Sequence, residues 1–146
     1  MKKRIFLLLL TSFSVLSTVA QSKMKIPKKA LQRLENFKEV DKFEEDLFLE
    51  YPGISDELYK PELTRLINLA VDDFIEITRD ALPTKEKYQK KIEEGLQRFS
   101  EIYSDINQKD IDRICSYYKE LMRYVNLRSD SGWITKFQRG IGFQRN

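Results

Sequence analysis

The sequence predicts an all-α protein, a small bundle of about four helices with a short helical or irregular C-terminal tail docked on it. Apolar residues recur at helical spacing along three long stretches, and capping residues or proline separate these stretches. Alternating strand-like patterns are almost absent, the one short candidate being Leu47–Leu49 before Tyr51-Pro52-Gly53. The 146 residues are enough for one ordinary domain, which we expect to span 30–146.

The first 20 residues have the composition of a secretory signal peptide. Basic residues at positions 2–4 precede the apolar run Ile5–Leu10, and Thr18-Val19-Ala20 places small residues at a cleavage site. A retained membrane anchor is the alternative, but the apolar run falls short of the roughly 20 residues that a span needs. No Cys follows the run, as a lipoprotein would require. We therefore expect residues 1–20 to be cleaved, leaving a soluble periplasmic or secreted protein that begins at Gln21.

The mature chain opens with a segment, residues 21–29, that we predict to be flexible. A ragged helix follows from near Pro27, with apolar residues through Leu47. The clearest helix begins near Leu63 and ends before Pro83, since its apolar residues follow the i, i+3, i+4 and i+7 pattern. Pro61 suits the first turn of this helix, after a short turn at 56–60.

Two further long helices follow. Thr84 is a plausible cap for the first of them, whose apolar stripe runs from Tyr88 to Ile106. Gly95 lies on that stripe, where the close approach of another helix would explain the missing side chain. Asn107 is a plausible cap for the second, and Cys115 lies on its apolar stripe, so we expect a buried, inert thiol.

The C-terminal tail, after Leu127, is rich in aromatic residues and glycine. Ser131 could cap a short helix that places Trp133 and Phe137 on one side, with Gly140 and Gly142 ending it. One interpretation is that these aromatic residues close the core, and the other is that they form a contact surface. We expect a mixed case in which Trp133 anchors the tail while Phe143, Arg139 and Arg145 stay exposed, with the Tyr51-Pro52-Gly53 turn as a neighbour. The predicted binding residues are Tyr51, Trp133, Phe137, Arg139, Phe143 and Arg145.

Charge is abundant but balanced. Charged residues make up 34% of the chain, against roughly 25% in ordinary domains. Because all charges of the leader are positive, the mature chain holds 23 Lys and Arg against 23 Asp and Glu, which argues against nucleic-acid binding. The charges are segregated, since residues 35–57 carry nine acids and two lysines. Solvated helix faces account for such runs as readily as a binding surface does.

The absence of histidine excludes most catalytic and metal-binding arrangements. Ser-His and Cys-His nucleophiles and Glu-x-x-His di-iron sites all require it, and zinc motifs are excluded because the chain also has only one Cys. Carboxylate pairs are frequent, but a chain with 23 acids produces them by coincidence. We predict no catalytic residue, no metal and no cofactor.

Four stretches resemble a known family. They are Tyr51–Leu58, Leu63–Thr78, Lys90–Phe99 and Arg113–Met122. Together they are similar to small uncharacterised bacterial proteins, often exported, that share a domain of unknown function. The resemblance covers about residues 30–143 and implies an all-helical domain with a Gly-aromatic tail, but no activity.

Three functions remain open. The first is a non-enzymatic exported interaction module, a binder or inhibitor of another protein, with no contact to nucleic acid or to the membrane after cleavage. The second is a small carboxylate-dependent cell-wall hydrolase, since two acids suffice for glycoside hydrolysis. The third is a structural or stress-related helical protein without a defined site. The sequence does not determine the oligomeric state.

Overall fold

The computed structural model describes residues 21–143 and confirms the all-α prediction. The predicted leader and Arg145 lie outside the described residues. Within them there is no β-strand, only single bridges between Lys23 and Thr84 and between Asp46 and Tyr51. Residues 21–143 form five α-helices: α1 (Ala30–Glu39), α2 (Lys60–Arg79), α3 (Lys85–Gln97), α4 (Gln108–Tyr124) and α5 (Trp133–Gln138). Short 3₁₀ turns are formed by Leu47–Leu49, Glu57–Tyr59 and Tyr103–Asp105.

Helix starts follow the predicted caps. Thr84 Oγ1 accepts a hydrogen bond from the Lys87 amide at 3.3 Å, and Asn107 Oδ1 accepts one from the Asp110 amide at 2.9 Å. Each bond satisfies one of the amides that a helix leaves free at its start. Pro61 occupies the first turn of α2, as predicted.

Helix α2 is the centre of the bundle. It contacts α1, α3 and α4, while α5 packs on α3 and α4. The four residues that best represent the predicted apolar faces are all buried, with 3% exposure or less: Leu66, Phe74, Phe99 and Leu121. Burial of the predicted apolar positions is therefore confirmed. Two predicted lengths are wrong, because the first helix ends at Glu39 and not near Leu47, and α3 ends at Gln97, so that Phe99 and Ile106 lie in the turns after it. Within residues 21–143, no helix combines the length and the apolar character needed to cross a membrane.

The segment 21–29 runs beside the connection between α2 and α3. The Met24 amide donates to the Pro83 carbonyl at 2.8 Å, and Met24 and Ile26 pack partly buried against the core. These contacts attach the start of the described chain to the bundle. Its flexibility stays a prediction.

The tail closes the core through α5 and the turn after it. Phe137 and Phe143 are both buried, with ring centroids 5.0 Å apart, and Tyr103 Oη donates to the Phe137 carbonyl at 2.6 Å. The predicted cap Ser131 is wrong, because Asp130 Oδ2 accepts the hydrogen bond of the Ile134 amide at 2.6 Å. A carboxylate at that point also suits the positive end of the helix.

Candidate functional site

The connection between α1 and α2, residues 40–59, carries five exposed large apolar residues. Its centre is a short loop, Asp46–Tyr51, that we call the tip loop. Asp46 and Tyr51 close it with two backbone hydrogen bonds of 2.9 Å, one in each direction. Inside it, Asp46 Oδ1 accepts hydrogen bonds from the amides of Phe48 at 3.1 Å and Leu49 at 3.3 Å. The tip loop therefore has a defined conformation, a single 3₁₀ turn closed by the bridge between Asp46 and Tyr51.

The tip loop points its apolar residues into solvent. Leu47 is 79% exposed, Phe48 101% and Leu49 52%, and Leu58 in the following 3₁₀ turn is 77% exposed. Leaving one such side chain in water forgoes about 1.5 to 3 kcal/mol of burial. Single exposed apolar residues are ordinary, whereas three consecutive ones held in one loop form an exposed apolar patch.

Helix α4 holds the base of the tip loop through Arg113. Arg113 Nη1 lies 3.1 Å from Asp46 Oδ2, and the guanidinium lies 4.5 Å from the ring centroid of Tyr117 and 5.5 Å from that of Tyr51. Lys109, one turn earlier, donates from Nζ to the Glu50 carbonyl at 3.1 Å. Two cations of one helix face thus hold the two sides of the loop.

A buried carboxylate holds the chain just after the tip loop. Asp110 is fully buried, and its Oδ1 accepts a hydrogen bond from Tyr51 Oη at 2.7 Å. Its Oδ2 accepts from the Ser55 amide at 3.3 Å and from Ser55 Oγ. Burial, together with the bond to this carboxylate, raises the pKa of Tyr51, so the phenol keeps its proton and stays a donor at physiological pH.

The chain before the tip loop is fixed by a buried lysine. Lys42 Nζ donates to the Phe37 carbonyl at 2.6 Å and to the Val40 carbonyl, and it lies 4.5 Å from the ring centroid of Phe37. The ammonium therefore caps the last carbonyls of α1. Burial lowers the pKa of Lys42. The next amide, that of Phe43, donates to Tyr117 Oη at 2.6 Å, so α4 holds this side as well.

A pocket of about 330 Å³ adjoins the tip loop. It is lined by Leu49, Glu50, Tyr51, Lys109, Asp112, Arg113 and Ser116. Both cations of its wall are already bonded to the loop, and Asp112 Oδ1 accepts amide hydrogen bonds at 2.9 Å from Gln108 and from Gln138. The polar groups of this pocket thus serve mainly to connect the loop, α4 and the tail.

Buried carboxylates in the described residues are used to join elements. Asp73 on α2 lies 2.8 Å from Arg98 Nη1 and 3.6 Å from Lys91 Nζ, while Asp110 joins α4 to Tyr51 and Ser55. Within residues 21–143, no three His, Cys, Asp or Glu side chains are placed to hold a metal ion together.

Three of the residues that the sequence predicts for binding are buried and so are not part of an exposed surface. Tyr51 is buried against Asp110, and Phe137 and Phe143 lie in the core. Trp133 is half-buried with Lys136 Nζ 4.3 Å from its ring centroid, and Arg139 is exposed.

The prediction that Phe143 stays exposed is wrong. Gly140 and Gly142 have φ values of 72° and 82°, which glycine adopts without strain, and the chain between them turns back. Phe143 is thereby buried beside Phe137 and Tyr103, where it and Phe137 cannot form a contact surface. The large apolar area of the Phe143 ring favours this burial.

The exposed residues of the tip loop are not among the predicted binding residues, because the sequence predicts Leu47 at the end of the first helix and Leu47–Leu49 as a short strand candidate. The available signal was three apolar residues between acids, preceded by a capping Asp46 and followed by Pro52-Gly53. That pattern fits neither helical nor strand periodicity, as expected for an apolar loop.

Comparison with known proteins identifies a family and a similar fold but supplies no activity. The family described as domain of unknown function DUF4844 matches residues 25–142. The crystal structure of a DUF3571 family protein from Acinetobacter baumannii AYE is similar in fold, with a TM-score of 0.68 at 22% identity over 76% of this chain and 89% of that one. No curated protein sequence matches the chain.

Proposed function

This chain belongs to the DUF4844 family, a domain of unknown function, and from that premise we propose that it is a non-enzymatic, exported module that binds another protein through the tip loop. The observation that carries the proposal is the exposure of Leu47, Phe48 and Leu49 in a loop of fixed shape. The same protein buries Phe137 and Phe143 of its C-terminal tail in the core, whereas the apolar side chains of the tip loop stay in solvent. Their place on the surface therefore indicates a use outside the domain.

The fixed conformation of the tip loop supports a binding role for its exposed apolar residues. The tip loop is held by Arg113 and Lys109, and its base by Tyr51 and Asp110. A preformed loop loses little conformational entropy when a partner covers it, so more of the contact energy appears as affinity. Aromatic residues at the centre of an interface commonly supply the largest share of that energy, which assigns Phe48 the leading role.

Export is supported by the composition of residues 1–20, and it would place the partner in the periplasm or outside the cell. Intact mass of the native protein tests it. We expect a chain that begins at Gln21, and a chain that retains residues 1–20 in the membrane fraction would contradict export.

The binding role is tested by capture with a variant of the tip loop. We replace Leu47, Phe48 and Leu49 together by Ser, and the control replaces Ile141, an exposed apolar residue of the tail, by Ser. Wild type and I141S, each attached to a resin, should retain the same protein from the extracytoplasmic fraction of the native cell, and the triple variant should lose it.

Titration of that protein, once purified, supplies the quantitative test. We expect the triple variant to bind at least about tenfold more weakly, the equivalent of 1.4 kcal/mol. Equal affinity of wild type and the triple variant would contradict the proposed function.

A further inference from the structure

The chain around the tip loop is strongly acidic. Nine acids and two lysines lie in residues 35–57, and the acids nearest the exposed tip are Glu44, Glu45, Asp46 and Glu50. Not all of them are available to a partner. Asp46 faces Arg113, and Glu44 is paired with Lys60.

Two carboxylates beside the tip form no ion pair. Glu45 and Glu50 are exposed, and no Lys or Arg of the described residues forms an ion pair with either, although Lys109 donates to the backbone carbonyl of Glu50. Glu45 immediately precedes the tip loop and Glu50 belongs to it, so one unpaired carboxylate lies in sequence on each side of Leu47–Leu49. Glu50 has φ 51° in the left-handed region and closes the 3₁₀ turn, so its position in the loop is fixed.

We propose that the partner surface is an apolar recess of a protein with Lys or Arg side chains on its rim, an inference that rests on the proposed function. When the tip enters a recess, Glu45 and Glu50 come close to the partner at the edge of the contact. Like charges facing each other at an interface are unfavourable, and opposite charges accelerate association and select the partner. A basic rim compensates these two carboxylates, whereas an acidic or purely apolar one does not.

Two other occupants fit less well. An anionic lipid surface would repel the carboxylates on both sides of Phe48. A second copy would have to bring exposed cations of its own, such as Arg128 and Arg139, to the rim of a recess that accepts Phe48. Both occupants are outcomes of the experiment below.

The test uses the mature chain, residues 21–146, and a phage-displayed library of random peptides as the probe. We pan it on wild type, on the triple Ser variant of Leu47–Leu49, and on E45Q/E50Q. The matched control is E86Q/D105N, which removes two exposed acids outside residues 40–59. Circular dichroism and melting temperature check that all four proteins are folded, as expected for substitutions at exposed sites.

Wild type and E86Q/D105N should enrich the same peptides, in which Lys or Arg flank aromatic or aliphatic residues, and the triple variant should enrich none of them. A synthetic copy of the leading peptide should bind E45Q/E50Q about three- to tenfold more weakly than wild type. Its affinity for wild type should also fall with added salt more steeply than its affinity for E45Q/E50Q.

The outcomes separate the two proposals. Peptides that require the tip but lack basic residues would overturn the basic rim and leave the proposed function standing. The absence of any peptide that requires the tip would overturn the proposed function, and the basic rim with it.

Two further measurements test the other occupants. If wild type binds phosphatidylcholine–phosphatidylglycerol vesicles and the triple variant does not, the tip binds a membrane. If wild type forms a dimer and the triple variant does not, the tip binds a second copy. Either result would also overturn the basic rim.

Discussion

At the scale of single residues, Gly95 is a position where a tertiary contact outweighs helix propensity, which would favour alanine over glycine. A Cβ at this position would clash with Tyr118 Oη of α4, so glycine leaves the room that this hydroxyl occupies. The neighbour that explains the missing side chain is therefore the end of a tyrosine side chain. Tyr118 Oη is also buried without a hydrogen-bond partner among the described residues.

We expect G95A to destabilise the protein by about 1 to 2 kcal/mol, although alanine favours a helix by about 1 kcal/mol over glycine. In a Y118F background the same substitution should be neutral or stabilising, because the nearest remaining ring atom lies 3.4 Å from the new Cβ, an ordinary contact. Urea denaturation of the four proteins of this cycle measures the coupling. Equal effects of G95A in the two backgrounds would show that the hydroxyl is not the cause.

Cys115 should be chemically inert in the folded protein. The thiol is buried, with Sγ 3.9 Å from the Ile134 carbonyl, and burial raises its pKa to about 12. Because the thiolate is the reactive form, we expect almost no labelling by a thiol reagent at pH 8 and complete labelling in denaturant. The variant S104C/C115S, with one cysteine at an exposed site, should react at once. Rapid labelling of native wild type would contradict the burial.

At the scale of elements, local signals predicted the helices well and the tip loop poorly. The caps Thr84 and Asn107 and the faces of α2 to α4 depend on residues a few positions apart, so a sequence shows them directly. The loop depends on Asp110, which is 59 residues from Tyr51 along the chain. No periodicity shows such a pair, because the fold must already exist before the two residues meet. The same reason explains the mistake at Phe143, whose burial depends on Tyr103.

The tail is an element of the core, and its stability should reflect that. We expect F137A and F143A each to cost about 3 to 5 kcal/mol, through lost burial and the cavity left behind. The exposed neighbour gives the control, since I141A should cost less than about 0.5 kcal/mol. Urea midpoints at unchanged slope measure these losses. A small effect at both phenylalanines would show that the tail is not part of the cooperative unit.

At the scale of the whole molecule, the buried tyrosines make the stability of the fold depend on pH. Six of the seven tyrosines have pKa values raised chiefly by burial, Tyr124 to about 12: Tyr51, Tyr88, Tyr103, Tyr117, Tyr118 and Tyr124. A phenol with a raised pKa ionises first in the unfolded chain, near pH 10. Above that pH the unfolded chain binds fewer protons than the folded chain does. The stability these groups contribute is therefore complete below their ordinary pKa and is lost as the pH rises toward the folded values.

We expect the melting temperature to change little from pH 7 to about pH 8.5 and to fall from about pH 9, where Cys115 begins to contribute through its own raised pKa. Lys42 acts in the opposite direction because burial lowers its pKa, but it is one group against six phenols. Tyrosinate absorbance at 295 nm should rise in one cooperative step together with the loss of helical circular dichroism. In Y118F this step should move to higher pH, since that variant lacks one buried phenol. A gradual rise of tyrosinate absorbance while the helices persist to about pH 12 would mean that the tyrosines titrate inside the folded protein, and that their burial does not govern its alkaline stability.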